Sequence, residues 1–281
     1  MCSELFQLGP LTIRAFGLSL AIGFAAALWV GSYLATRIAG HHPDSTPNLA
    51  IWMIVAGIIG ARIAYVAEHW NSEFADAARH GDFLPLIRVD QGGLMFYGGM
   101  AGAIVALALY ARLKKTSFFS LADLVTTVLP LGHAFGRIGC FLHGCCYGRI
   151  SQAACAVSFP KYSPAWYDHA ENGLIPPTAL HSLPVLPTQL FEATGNFLIF
   201  ALLFYCYRRW SNRPGLIAGL YCLAYALLRF GVEALRGDPR MPVGPLSISQ
   251  AASLALVVVG LALFAHSLSR PTTTATPKTD A

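Results

Sequence analysis

Charge is scarce in this chain. Asp, Glu, Lys and Arg make up only 12% of the 281 residues, well below the roughly 25% that is usual in soluble domains. Hydrophobic residues make up 55%, and the mean hydropathy is +0.54. A water-soluble globular protein cannot be built from this composition, so the sequence predicts an integral membrane protein.

Other absences narrow the class further. The net charge is +5, but no basic run is interleaved with aromatic residues, so no nucleic-acid partner is predicted. The N-terminus lacks the basic start of a cleavable signal peptide, so we expect the first apolar segment to remain. No internal repeat is visible, which argues against a transporter.

Seven apolar segments are each close to the roughly 20 residues that cross a bilayer. The sequence therefore predicts an all-α integral membrane protein with seven transmembrane helices and a small extramembrane cap on the outer side. We expect one membrane domain over residues 1–270 and a disordered cytoplasmic tail over residues 271–281, which are rich in Thr and Pro. The predicted spans are residues 16–38, 49–69, 94–113, 121–135, 188–207, 215–235 and 248–267.

Basic residues predict the orientation. They are dense in alternate connections, such as the one that holds Arg112, Lys114 and Lys115. The opposite connections are mixed in charge over residues 70–91 and sparsely charged over residues 149–187. Because cytoplasmic loops carry the excess of Lys and Arg, we expect the N-terminus outside and the C-terminus inside.

Residues 149–187 form the longest connection. They contain six prolines and the aromatic side chains of Phe159, Tyr162, Trp166 and Tyr167. A loop of this length in a compact protein is often functional, so we interpret it as the cap, with short strands or irregular turns. The alternative is that its aromatic side chains form a belt at the lipid surface.

Residues 136–148 are the most unusual part of the sequence. An arginine at the bilayer edge needs an anionic partner, and the planar fork of Arg137 suits a phosphate. Three cysteines and a histidine follow it. With Cys155, these cysteines allow a disulfide or simple packing. A soft-metal site formed by the cysteines and the histidine is a third alternative. We predict no metal, because the run lacks a second distant pair at the usual zinc spacing. The four residues are Cys140, His143, Cys145 and Cys146.

Two further groups of polar residues each share a helix face. Spacings of four, four and three align Tyr225, Arg229, Glu233 and Arg236. Two arginines against one glutamate leave a positive excess that suits a phosphate, although a simple pair within the helix is the alternative. A second group follows Pro187 and either positions a substrate or forms ordinary contacts between helices. It consists of Thr188, Gln189, Glu192 and Asn196.

A glycine-rich segment forms the fourth group. Glycine pairs at residues 92–93 and 98–99 bracket Phe96 and Tyr97. They indicate backbone bends beside a ligand or, alternatively, close packing of helices. Arg62 is expected to join the same cluster at the outer ends of the spans.

These motifs occur in the order typical of one family. The chain resembles the prolipoprotein diacylglyceryl transferases over nearly its whole length. The matching segments are Gly60-Ala61-Arg62-Ile63-Ala64-Tyr65, Gly92-Gly93 through Gly98-Gly99, Gly136-Arg137-Ile138-Gly139, Pro187-Thr188-Gln189-Leu190-Phe191-Glu192, and Arg229-Phe230 with Glu233 and Arg236.

The resemblance implies a transferase of the bacterial inner membrane. Such an enzyme moves the diacylglyceryl group of phosphatidylglycerol to the thiol of a prolipoprotein cysteine and releases glycerol phosphate. The implied partners are phosphatidylglycerol, the signal peptide of a secreted prolipoprotein or another acceptor, and membrane lipids. The resemblance implies no metal and no soluble cofactor.

The resemblance also assigns roles. Arg137 and Arg229 are expected to bind the phosphate, with Glu233 orienting Arg229. Tyr97 and His143 are the candidates for handling the thiol proton. The catalytic candidates are therefore Tyr97, Arg137, His143 and Arg229. The substrate-binding candidates are Arg62, Gly98, Gly99, Gly136, Gly139, Gln189, Glu192, Glu233 and Arg236.

The chain departs from the family pattern at its acid–base groups. The family's histidine is Tyr97 here, its asparagine is Cys140, and its glutamate is Cys145. Three interpretations stay open. His143, with an ordinary pKa near 6.5, takes over as the base; or a divergent paralogue transfers a lipid group to a different acceptor; or the chain is a non-enzymatic lipid-binding membrane protein.

Overall fold

A computed structural model describes residues 4–8, 11–40, 42, 44–89, 92–238, 242–243 and 246–269. The predicted disordered tail and Gln91 of the glycine-rich segment lie outside these residues. The helices in chain order are α1 Ala15–Arg37, α2 Ser45–Glu68, α3 Ala75–Arg79, α4 Leu84–Ile87, α5 Phe96–Leu113, α6 Phe118–His143, α7 Pro164–Glu171, α8 Thr188–Trp210, α9 Leu216–Glu233 and α10 Ile248–Ser269.

Seven of these helices (α1, α2, α5, α6, α8, α9 and α10) are long and apolar enough to cross a membrane. The predicted all-α, seven-helix membrane fold is confirmed, and the protein is a multi-pass membrane protein. The remaining regular structure is minor. It comprises a π-helical turn at Trp70–Phe74 and two antiparallel hairpins, β1 Glu4–Leu8 with β2 Leu11–Arg14 and β3 Pro242–Val243 with β4 Leu246–Ser247.

The fourth span is longer than the sequence predicts. We expected residues 121–135, but α6 runs from Phe118 to His143 and contains Pro130. The apolar pattern stops near Arg137, whereas the hydrogen-bonded helix continues for more than a turn beyond it. Arg137 therefore lies within a helix, where residues four apart share a face.

The described residues form two compact units. One unit comprises the described residues of Met1–Leu34 and Asp123–Ala281, and the other unit comprises the described residues of Ala35–Ala122. A single membrane domain over residues 1–270 stays a prediction.

In the unit formed by Ala35–Ala122, α2 packs against α5. Their backbones approach closely at glycines, because a Cβ atom on Gly98 would collide with the carbonyl oxygen of Gly60. A Cβ on Gly99 would lie 3.3 Å from the carbonyl oxygen of Gly57. Small residues permit this kind of contact between membrane helices. Close helix packing, the alternative given for this segment, therefore explains both glycines.

In the other unit, a buried carboxylate joins α6 to α9. Asp123 accepts hydrogen bonds from the backbone N–H groups of Gly215 at 2.8 Å and Ala218 at 2.7 Å. These donors lie at the N-terminus of α9, where the first N–H groups have no partner within the helix. The acid inside the fourth apolar segment thus caps another helix.

The connection over residues 149–187 folds around its own small core. Phe159 is fully buried and packs with Tyr147, Ala165 and Val185. The region contains isolated β-bridges and the helix α7. The helix was not predicted from the sequence. Trp166 is also buried, so neither Phe159 nor Trp166 belongs to an aromatic belt, although Tyr162 and Tyr167 are exposed.

The cap core also holds a tyrosine that follows α6. Tyr147 donates a hydrogen bond of 2.6 Å to the Oδ2 atom of Asp168 in α7. Burial, and then this hydrogen bond to a carboxylate, raise the pKa of the Tyr147 phenol above its ordinary value. Tyr147 therefore stays neutral and anchors the cap to the turn that follows α6.

Candidate active site

One buried carboxylate organises the polar residues of this unit. Glu192 lies on α8, and its side chain is only 1% exposed. Its Oε1 atom is 3.1 Å from Nη2 of Arg137 on α6, and its Oε2 atom is 3.1 Å from Nη1 of Arg229 on α9. The two arginines that we predicted to share a site therefore do converge, and Glu192 holds them together.

Arg229 has a second acidic partner. Its Nη2 atom lies 2.9 Å from Oε2 of Glu233, one helical turn further along α9, and donates a 2.9 Å hydrogen bond to Ser249. Ser247 in turn donates to Oε1 of Glu233 at 2.8 Å. The pairing of Glu233 with Arg229 thus has the geometry of an orienting contact.

Among the residues that the structure describes, this cluster does not have the expected positive excess. Arg236 makes a bidentate pair with Asp238, with nitrogen–oxygen distances of 2.9 and 2.8 Å. With Glu192 and Glu233, three carboxylates therefore face the three arginines of this cluster. The prediction was wrong because it counted only one helix face, whereas Glu192 comes from α8 and Asp238 follows α9.

His133 was not among the residues predicted from the sequence. Its Nε2 atom accepts a 3.3 Å hydrogen bond from Nε of Arg137 and lies 3.8 Å from Oε1 of Glu192. The His133 ring also contacts the ring of Tyr225, with 5.2 Å between centroids. Its position four residues before Arg137 was the available signal, because that spacing puts both side chains on one face of α6.

Residues in the first helical turn of α8 form hydrogen bonds to the loop turn that follows α6. Gln189 donates a 2.7 Å hydrogen bond to the carbonyl oxygen of Cys145, and Thr188 donates a 2.9 Å bond to that of Cys146. Further along the same face, Asn196 donates to the carbonyl oxygen of Glu192 at 2.8 Å. All four polar residues of this face are buried, and these contacts are made within the protein. Their role in positioning a substrate stays a prediction.

Three cysteines come together in this turn. The Sγ atoms of Cys140, Cys145 and Cys146 all lie within 4.8 Å of one another, and all three are unpaired half-buried thiols. Cys155 is an exposed free thiol in the cap. Among the described residues, His143 is not part of this metal-capable group, and it is exposed as the last residue of α6.

The two glycines of the segment Gly136-Arg137-Ile138-Gly139 differ in their surroundings. A Cβ atom on Gly139 would lie 3.0 Å from Cδ2 of Phe16, so Gly139 permits close packing of α6 on α1. A Cβ on Gly136 would meet no atom within 4 Å. Gly136 therefore borders open space one position before Arg137, whose side chain is 14% exposed.

The remaining candidates belong to the unit formed by Ala35–Ala122. Arg62 donates hydrogen bonds to the carbonyl oxygens of Leu86 at 2.9 Å and Gly93 at 3.0 Å, which ties α2 to the segment before α5. Tyr97 is 47% exposed in the first turn of α5 and packs edge-to-face on Phe96. Arg62 thus has a structural role here, and a substrate contact by Arg62, Tyr97, Gly98 or Gly99 stays a prediction.

Comparison with known proteins agrees with these motifs. The family model for prolipoprotein diacylglyceryl transferase matches residues 3–266. A phosphatidylglycerol–prolipoprotein diacylglyceryl transferase from Symbiobacterium thermophilum is 32% identical over 265 residues, which cover 94% of this chain and 92% of the relative. A relative of the same name from Thermosynechococcus vestitus is 33% identical, and the match covers 90% of this chain and 88% of the relative. Another from a Nostoc species is 34% identical, and that match covers 92% of this chain and 86% of the relative. The chain therefore belongs to the prolipoprotein diacylglyceryl transferase family.

Proposed function

We propose that this protein transfers the diacylglyceryl group of phosphatidylglycerol to the thiol of a prolipoprotein cysteine and releases glycerol phosphate. Family membership and the names of the relatives support this reaction. The structural observation that carries the proposal is the convergence of Arg137 and Arg229 on Glu192. Two guanidinium groups held in fixed positions suit a group that gains negative charge as it leaves.

Arg137 is the proposed main contact to the lipid phosphate. Its contacts with His133 and Glu192 use Nε and Nη2, and a guanidinium has five N–H donors in all. Gly136 leaves open space beside it. The phosphate of the lipid would approach through this space, while Glu192 keeps both arginines in place during the reaction.

The attacking thiol must lose its proton, because its ordinary pKa is about 8.5. Tyr97 and His143 remain the proposed residues for handling this proton. Gln189 and Glu192 are proposed to position the substrate indirectly. Glu192 holds the two arginines, and Gln189 holds the turn that contains Cys145. Glu233, Arg236, Gly136 and Gly139 complete the proposed substrate-binding set around this cluster. Arg62, Gly98 and Gly99, in the unit formed by Ala35–Ala122, are also proposed to bind substrate.

We also propose an inner-membrane location, with the N-terminus outside, the C-terminus cytoplasmic and the cap on the outer face. The excess of Lys and Arg in alternate connections supports this orientation. A membrane-impermeant thiol reagent tests it. We expect labelling of the exposed Cys155 in intact spheroplasts, whereas labelling only after lysis contradicts the orientation.

Replacement of the two arginines tests the function. We expect Arg137→Ala and Arg229→Ala each to lower transfer of labelled diacylglyceryl to an acceptor peptide by roughly 10²-fold or more, as for removal of one charge-stabilising donor. Arg209→Ala is the matched control, because Arg209 is exposed at the end of α8. Activity at the control level in both variants refutes the assignment of the arginines.

Complementation separates the acceptors. We expect the wild-type chain to restore growth in cells depleted of their own prolipoprotein transferase. Normal expression without rescue, together with release of glycerol phosphate from phosphatidylglycerol in membranes, would indicate a different acceptor. Absence of any product from phosphatidylglycerol would refute the transferase activity.

A further inference from the structure

Cys140, Cys145 and Cys146 form a compact cluster of thiols. Cys140 lies in the last turn of α6, and the other two cysteines lie in the turn that follows it. All three Sγ atoms fall within 4.8 Å of one another. Thiolates bind Zn²⁺ at about 2.3 Å in tetrahedral geometry, so modest side-chain rotations would bring all three sulfur atoms onto one ion.

The backbone around these thiols is held in an uncommon conformation. Cys146 has a φ of +64°, which a residue with a side chain rarely adopts, and Gly144 has a φ of +83°. The hydrogen bonds from Gln189 and Thr188 fix the carbonyl groups of Cys145 and Cys146. Residues that hold metal ligands in place from outside are typical of metal sites.

Three protein ligands leave the fourth tetrahedral position open, which is the pattern of catalytic zinc sites. Gly136 precedes Cys140 by four residues on the same face of α6, and it borders open space. A ligand from outside the protein can therefore approach Cys140 along this face of α6. The thiol of the acceptor peptide is the soft ligand that suits such a position.

We propose that these three cysteines bind a thiophilic divalent cation of the Zn²⁺ type, and that its fourth position takes the acceptor thiol. This inference rests on the proposed function. The acceptor thiol releases its proton as its sulfur binds the ion, and Tyr97 and His143, the residues proposed to handle that proton, pass it to water. The sulfur then attacks the glycerol carbon next to the phosphate of phosphatidylglycerol. A C–S bond forms, the C–O bond breaks, and its electron pair leaves on the oxygen of glycerol phosphate.

Metal coordination suits the proposed reaction, because a thiol that coordinates a cation loses its proton and becomes an activated nucleophile.

Metal content of the purified full-length protein tests the site. We expect about one Zn²⁺ per chain after equilibration with buffered Zn²⁺, and charge-transfer absorption from sulfur to metal after exchange for Co²⁺. Cys140→Ser, Cys145→Ser and Cys146→Ser should each lose the metal and the absorption, whereas Cys155→Ser, the matched control, should keep both. Wild-type protein without bound metal, or with a disulfide within the cluster, overturns the site.

Activity separates this inference from the proposed function. Removal of the ion with a chelator should lower transfer to the acceptor peptide by roughly 10²-fold or more, the usual contribution of assisted proton transfer, and added Zn²⁺ should restore it. Full transfer by metal-free wild-type protein overturns the inference and leaves the proposed function intact. Metal-loaded protein that binds Co²⁺ through thiolates but forms no product from phosphatidylglycerol refutes the proposed function and the activation step together.

Discussion

Arg137 and Arg229 bind the two oxygen atoms of a single carboxylate. They come from α6 and α9, and each lies 3.1 Å from its own oxygen of Glu192. Glu192 is nearly fully buried, so these interactions are less screened by water than a surface pair would be. The spacing of the two guanidinium groups is therefore set by a residue of a third helix.

Glu192→Gln should disrupt this arrangement. The amide keeps one oxygen for one arginine, but its NH₂ group faces the other arginine and cannot accept a hydrogen bond from it. Breaking a buried ion pair from one side costs about 3–5 kcal/mol. We therefore expect a lower thermal unfolding temperature in detergent and roughly 10²-fold less lipid transfer.

Glu171→Gln is the control for this variant, because Glu171 is exposed in α7. It removes the same charge without touching the arginine cluster. If Glu192→Gln and Glu171→Gln unfold at the same temperature and transfer lipid equally well, Glu192 does not organise the site.

His133 is expected to act as a positioning residue for Arg137. It accepts the hydrogen bond from Nε of Arg137 through its Nε2 atom. Glutamine offers an oxygen acceptor in its place, whereas leucine offers none. We expect His133→Leu to lower kcat by roughly 10-fold or more with a smaller change in KM, because misplacement of a charged group acts mainly on the transition state.

His133→Gln should recover most of the kcat that His133→Leu loses. A purely structural role for the histidine predicts a different result, namely equal losses in both variants that follow their unfolding temperatures. Steady-state kinetics on the two purified variants, with wild type beside them, decide between these outcomes.

The helices were predictable from the sequence because long apolar runs leave few alternatives in a bilayer. The seven long helices of the structure overlap the seven predicted spans. The end of α6 was misplaced, since hydrophobicity marks where lipid contact stops and not where the backbone hydrogen bonds stop. His133 was missed because the predicted span ended at residue 135, so the spacing of four between His133 and Arg137 was not counted as a shared helix face.

Charge pairing between helices was the least predictable part of the site. Spacing showed that Arg229 and Glu233 lie on one face of α9, and the structure pairs them. The bridge from Glu192 depends on how three helices pack, which no local pattern contains. Asp123 is a similar case, because its partners in α9 are far away in sequence.

Gly98→Ala should destabilise the contact between α2 and α5. The added Cβ atom would collide with the carbonyl oxygen of Gly60, which is backbone and cannot rotate away. Overpacking of this kind costs typically about 1–3 kcal/mol. We expect a lower unfolding temperature for this variant in a thermal shift assay on the detergent-solubilised protein.

Gly17→Ala is the matched control in α1, where an added Cβ meets no atom within 4 Å. Alanine favours the helix over glycine by up to about 1 kcal/mol, so this control should be as stable as wild type or more stable. An unfolding temperature of Gly98→Ala at or above that of Gly17→Ala contradicts the close contact between the two helices.

Asp123→Ala should weaken the N-terminus of α9. The carboxylate accepts bonds from the N–H groups of Gly215 and Ala218, and its negative charge lies at the positive end of the helix dipole. Loss of such a cap costs about 0.5–2 kcal/mol. Asp123→Asn keeps one acceptor oxygen, so we expect its unfolding temperature to fall between those of wild type and Asp123→Ala.

Asp76→Ala, which removes an exposed carboxylate in α3, should unfold like wild type. Equal stability of Asp123→Ala and Asp76→Ala would show that the capping interaction contributes nothing to the fold.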